Sequence, residues 1–189
     1  MIYEPAHTTN KWIQCVAINM LDCRICEARC IDHDTTFVSE HQNNKPMATI
    51  NPYLNFMGNT EKAMNFYKSV FGGEFSIFQR FKDIPGGEKM PEDDREKIMN
   101  ISLPMHKGNV LMATDALESM GQVLNVGNNF HLSVSVESEK EADRIFKALS
   151  EGGQTKLAMN KAFWGSYFGM LTDQFGIQWM VSYDLNQAK

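Results

Sequence analysis

Ala63-x-x-Phe66-Tyr67-Lys68-x-Val70-Phe71-Gly72-Gly73 is answered 79 residues later by Ala142-x-x-Ile145-Phe146-Lys147-x-Leu149, which closes on Gly152-Gly153. Apolar side chains at such three- and four-residue spacings line one face of an α-helix. Each helix follows an apolar strand candidate and stops at a glycine pair, a common way for a helix to end. A strand and helix unit that occurs twice predicts a duplicated module. Two small α+β modules paired through their sheets make a concave cavity, so a pocket is the first place to seek function.

Outward from the first helix, Ile50 to Met57 reads as a strand, and Gly58-Asn59-Thr60 supplies a turn and a helix N-cap. The helix runs from about Glu61 to Phe71, and strand candidates follow at Phe75 to Phe81, Ile98 to Met105 and Asn109 to Thr114. The second unit opens with Phe130 to Val136. Ser138-x-x-Glu141 is a capping-box sequence, so the next helix starts there and buries Ala142, Ile145, Phe146 and Leu149. Thr155 to Met159, Phe163 to Leu171 and Gln178 to Tyr183 complete the unit, with Thr172 to Gly176 as the turn before the last strand. The predicted fold class is α+β: two paired β-α-β-β-β modules, at about 49–117 and 128–184, forming a concave mixed sheet.

Alternation along the strands divides the faces of the second sheet. His131, Ser133 and Ser135 fall on one side with Gln178, Met180 and Ser182, the side expected to line the cavity. Trp179, Val181 and Tyr183 fall under the helix. A slip of one residue would exchange the faces.

The 189 residues suffice for a working core, and 43% hydrophobic with 22% charged residues describes an ordinary globular composition. A net charge of −5 with scattered Lys and Arg argues against a nucleic-acid partner, which favours a clustered basic surface. No apolar run approaches the roughly 18 residues that span a bilayer, so no membrane association and a cytoplasmic location are expected.

All four cysteines, Cys15, Cys23, Cys26 and Cys30, precede the duplicated part. Cys23, Cys26, Cys30 and His33 offer zinc-type donors, but ligands crowded into so short a window strain the backbone around a tetrahedral ion. A free-thiol tail and a metal or redox responder both stay open. The polar run His41-Gln42-Asn43-Asn44-Lys45-Pro46 marks a boundary, and the body reads as starting at Met47. Residues 1–46 are expected to be a poorly ordered or non-native extension, and 47–189 one domain.

Pro52-Tyr53-Leu54-x-Phe56, Ala63-x-x-Phe66-Tyr67, Val110-Leu111-Met112-x-x-Asp115, Phe163-Trp164-Gly165 and Thr172-Asp173-x-Phe175-Gly176-x-x-Trp179 resemble, as a set, the PhnB-like branch of the glyoxalase, bleomycin-resistance and extradiol-dioxygenase superfamily, also called vicinal oxygen chelate. The resemblance covers about Thr49 to Tyr183. It implies a homodimer whose cavities are closed by segments of both chains. It also implies that metal-dependent members place four ligands, usually His and Glu, on the first and last strands of each module. The matching positions here are Pro52, Met112, His131 and Met180. Proline has no side-chain donor and a thioether suits a hard cation poorly, so only His131 fits, and the metal site reads as lost.

The branch is sometimes labelled a demethylubiquinone methyltransferase. A doubly wound methyltransferase needs a glycine-rich strand-to-helix turn, and Gly72-Gly73 and Gly152-Gly153 follow helices instead. No G-x-S-x-G elbow or P-loop occurs, and the body has no cysteine nucleophile. His106 and Asp115, near strand ends, read as solvated loop and turn residues. Lys82 to Lys97 is too polar for core and reads as a solvated connector or a lid.

What remains is a pocket walled by Phe56, Met112, Phe163, Trp164, Phe168 and Met180, with His131, Ser133, Ser135 and Gln178 as polar anchors. The leading functional reading is a metal-independent, cofactor-free protein that binds a small, partly apolar or aromatic ligand. The alternative is an enzyme of the same fold, a lyase or dioxygenase type, that recruits metal or uses His131 as a general base on a carbonyl or aromatic substrate.

Overall fold

The computed structural model describes residues 49–186. The first module holds β1 (Tyr53–Phe56), α1 (Thr60–Phe71), β2 (Ile77–Arg80), the single turn α2 (Glu92–Arg95), β3 (Ile98–Pro104) and β4 (Val110–Asp115). The second holds β5 (Leu132–Val136), α3 (Glu139–Ser150), β6 (Gln154–Lys161), β7 (Ser166–Thr172) and β8 (Gln178–Asp184). Each module makes a four-stranded mixed sheet, ordered β1-β4-β3-β2 and β5-β8-β7-β6. The first strand of each pairs in parallel with the last, and the other neighbours are antiparallel. The duplicated β-α-β-β-β order predicted from the helices is the order observed.

Two strands start three residues later than predicted. Pro52 has no N–H to give to a ladder, and the Asn51 side chain accepts the Val110 N–H at 2.9 Å, so β1 begins at Tyr53 and Ile50 is exposed. Ala162 to Gly165 forms a tight turn, with Gly165 N–H on the Ala162 carbonyl at 3.1 Å, and β7 begins only at Ser166. Phe163 at the tip of that turn is 98% exposed.

Both helices form for the reasons their sequences give. Ala63, Tyr67 and Val70 on α1 and Ala142, Ile145 and Leu149 on α3 are buried, each set on one stripe. Ser138 caps α3, its hydroxyl accepting the Glu141 N–H at 3.2 Å. The cap of α1 comes from elsewhere in the fold. Asn59 makes no side-chain capping bond. Instead Asp115 Oδ1, at the end of β4, accepts from Gly58 N, Thr60 N and Thr60 Oγ1 at 2.9, 3.1 and 2.6 Å, and its Oδ2 accepts from Ile98 N at 2.8 Å. At 3% exposure Asp115 is therefore a buried tertiary cap, which corrects its reading as a solvated turn residue.

A single core joins the modules. Leu54, Phe56, Ile101, Leu103, Leu111 and Ala113 on the helix side of the first sheet pack with Trp179, Val181 and Leu171 of the second. Tyr67 and Phe71 of α1 lie 5.4 and 5.5 Å from the Trp179 ring, and Phe175 meets Phe56, Phe66 and Tyr67. At the centre is Asp173, 4% exposed, whose Oδ2 accepts from Tyr67 Oη at 2.7 Å and Trp179 Nε1 at 2.8 Å. Its Oδ1 accepts from the Phe175 and Ile177 N–H groups at 2.8 and 3.0 Å. Burial, and then the charge and hydrogen bond of Asp173, hold the Tyr67 phenol far above its ordinary range, so it stays a neutral donor.

The 82–97 segment is pinned rather than merely solvated. Lys82 pairs with Glu96 at 2.8 Å, and Asp94, 4% exposed, pairs with Lys97 at 2.6 Å and accepts from the Ser119 hydroxyl.

Candidate functional site

Strand pairing sorts the predicted site residues by face. Across the second sheet Ser133 sits opposite Met180 and Met180 opposite Met170, while Ser135 sits opposite Ser182 and Ser182 opposite Phe168. These side chains share the face turned away from α3. The other face carries Trp179 and Val181, both buried, which is the parity read from the sequence. Ser133 and Ser135 are exposed and Met180 and Phe168 half-buried. The Ser135 and Ser182 hydroxyls stand 3.5 Å apart. His131, just before β5, is half-buried, and alternation carried back from Ser133 assigns it to the same side.

Gln178 and Trp164 serve the margins of this face. Gln178 donates from Nε2 to the Phe130 carbonyl at 3.2 Å and the Gly127 carbonyl at 3.4 Å, which fastens the segment entering β5. Trp164, 55% exposed in the β6–β7 turn, stacks edge-on against Phe163 and Phe168.

In the first sheet Met112 faces away from α1, opposite Tyr53 on β1 and Ser102 on β3. Tyr53, Asn55, Asn100, Ser102 and Thr114 share that open face by register, and alternation along β3 and β4 could have found them. Phe56 lies on the other side, 3% exposed, where it packs edge-on against Phe175. The reason is parity: Leu54 and Phe56 point to the helix while Tyr53 and Asn55 point away. The residue across from Met112 is Tyr53, with Pro52 one place before it and outside the strand.

The modules pair through α1 and the helix sides of both sheets, so the two open faces point away from the shared core. The described residues form hollows that include the following two. One of about 250 Å³ lies between β1 and the stretch around Val126 and Phe130, and includes Phe56, Phe175 and Gln178. The other, about 400 Å³, lies among Phe81, Ile84, Met90, Pro91 and Met120 with Lys89 at its margin.

The donor set of the open faces does not suit a divalent ion. His131 is its one imidazole, and the ligand positions otherwise offer the thioethers of Met112 and Met180, the Tyr53 phenol and serine hydroxyls. Among the described residues no three His, Cys, Asp or Glu side chains gather as a metal-binding group. Cys15, Cys23, Cys26, Cys30 and His33 lie outside the described residues. Among the described residues no helix is long and apolar enough to cross a membrane.

Two mixed sheets of β-α-β-β-β origin, each backed by a helix and open on its other face, make the fold seen in glyoxalase, bleomycin-resistance and dioxygenase proteins. A glyoxylase/bleomycin resistance protein/dioxygenase domain from Frankia sp. shares this fold at 11% identity and a TM-score of 0.52, over 73% of this chain and 98% of that one. Residues 48–182 match the family model described as 3-demethylubiquinone-9 3-methyltransferase, and the chain belongs to that PhnB-like family. Protein PA1353 from Pseudomonas aeruginosa is 35% identical, with a TM-score of 0.65 over 73% of this chain and 98% of that one. Protein YjdN from Escherichia coli is 28% identical over 146 residues, 70% of this chain and 93% of that one.

Proposed function

We propose that this protein binds a small, partly apolar or aromatic molecule without a metal ion, on the sheet faces turned away from its helices. The observation that carries the reading is the pair Met112 and Met180. Each sits on an open face at a place where the resemblance implies a metal ligand, and a neutral thioether there adds apolar surface and no charge. Serines beside Met180, and Tyr53 and Asn55 beside Met112, supply the few polar contacts that orient a ligand in such a site.

Exposure supports completion of the site by a second copy in a cytoplasmic homodimer. Trp164 is 55% exposed, Tyr53 45%, Ile77 43% and Leu157 41%, an amount of apolar surface that favours cover. His131, in this reading, is a polar contact rather than a ligand or base.

A thermal-shift screen of small aromatic molecules, run in EDTA, tests the proposal. A compound that raises the melting temperature in wild type but not in Met180→Lys supports binding at the open face. Compounds that act only after divalent metal is restored would refute it.

A further inference from the structure

Among the described residues, two buried side-chain atoms capable of hydrogen bonding lack a partner: Asn100 Oδ1 and Ser102 Oγ. Both belong to β3, two residues apart, on the open face of the first sheet. Ser102, 2% exposed, lies between Met112 of β4 and Ile77 of β2. The other buried side-chain oxygens and nitrogens of the described residues have partners, as the four donors on Asp115 and the four on Asp173 illustrate. An orphaned buried oxygen costs stability in the free protein, so two on one face call for an explanation.

We propose that Asn100 and Ser102 are the polar anchor of the ligand site, and that they select a neutral molecule carrying a hydroxyl on an apolar or aromatic body. A hydroxyl has the complement of either atom, since it can donate to Asn100 Oδ1 or accept from Ser102 O–H. Charge is disfavoured because the neighbouring side chains of this face, Tyr53, Asn55, Ile77, Gln79, Met112 and Thr114, are all uncharged, and an ion brought there would lose its water without a counter-ion. Met112 and Ile77 flank Ser102 and provide the apolar contact for the ligand body.

The inference rests on the binding reading above, and its test separates the two. Phenol and toluene, which differ by a hydroxyl in place of a methyl, are titrated into the full-length protein by ligand-observed NMR, and the ratio of their affinities is compared with that in Ser102→Ala and Asn100→Leu. The anchor predicts that each variant lowers the phenol-to-toluene ratio by about tenfold, one hydrogen bond's worth. An unchanged ratio, with both probes still bound, overturns the anchor and leaves the binding reading intact. Failure of wild type to bind either probe at millimolar concentration counts against both. Stability supplies a second readout without any probe. Ser102→Ala removes an orphaned hydroxyl and is predicted to raise the melting temperature by about 3 °C. A fall in melting temperature would show that the hydroxyl is already satisfied in the free protein, which overturns the anchor.

Discussion

Asp173→Asn is predicted to be among the most damaging single-atom changes in the body. The carboxylate accepts four buried hydrogen bonds, two on each oxygen: Tyr67 and Trp179 side chains on one, and the Phe175 and Ile177 N–H groups on the other. An amide keeps one accepting oxygen and turns an NH2 toward the other pair, so two buried donors face a donor. At about 1–3 kcal/mol for each unsatisfied buried group, the loss comes to about 4 kcal/mol. That is a large fraction of the roughly 5–15 kcal/mol that holds a domain folded. Urea unfolding followed by far-ultraviolet circular dichroism measures it, which reads the whole body and not one of the three tryptophans. Tyr67→Phe removes one donor and leaves the carboxylate its other three, so it is predicted to cost less, about 2 kcal/mol, because a hydrogen bond to a charged group is lost. In the double variant the two losses are predicted to sum to more than the observed total, since both act on the same carboxylate. Asp173→Asn with a loss below about 1 kcal/mol would refute the view that this carboxylate ties the modules together.

Gly169→Ala places a Cβ 2.6 Å from Met159 Sδ and 2.8 Å from Phe146 Cε2, so overpacking beneath α3 is predicted to cost about 1–3 kcal/mol, read from the urea midpoint. Wild-type stability would show that both side chains yield freely. Ser138→Ala removes the cap of α3 and is predicted to cost about 1 kcal/mol, with Ser138→Asp retaining most of it. Hydrogen bonds from Lys97 and Ser119 hold the Asp94 carboxyl below its ordinary range. A carboxyl lowered on folding contributes stability that is full above its unfolded value and lost as pH falls through its folded value. Asp94→Asn is therefore predicted to cost more at pH 7 than at pH 3, and an equal cost at both would contradict the pairing.

The fold was legible because its signals are local and repeated. The stripe Ala63, Tyr67, Val70 and its echo Ala142, Ile145, Leu149 each specify a helix and its buried side without reference to the rest of the chain. Alternation separated Ser133, Ser135 and Met180 from Trp179 and Val181 for the same reason. Long-range polar contacts were not legible. Asp115 reads as a turn residue until β4 carries it to the start of α1, and Asp173 acquires its role only where Tyr67, 106 residues away, comes within 2.7 Å. Phe56 turns to the shared core by strand parity and still borders the hollow beside β1, a placement that aromatic character alone does not specify. Asn100 and Ser102 were overlooked because nothing in sequence separates a satisfied strand polar residue from an orphaned one.

Ligand binding without metal stands or falls on the metal content of the purified protein. Full-length protein purified without chelator, alongside His131→Ala, is analysed by plasma mass spectrometry. Residues 1–46 carry their own cysteines, so a second preparation beginning at Met47 separates ions held there from ions held by the body. A body with no stoichiometric divalent ion, and no difference between wild type and His131→Ala, is the expected result. One divalent ion per chain in the Met47 form, lost in His131→Ala, would contradict it and place a metal centre on the open faces.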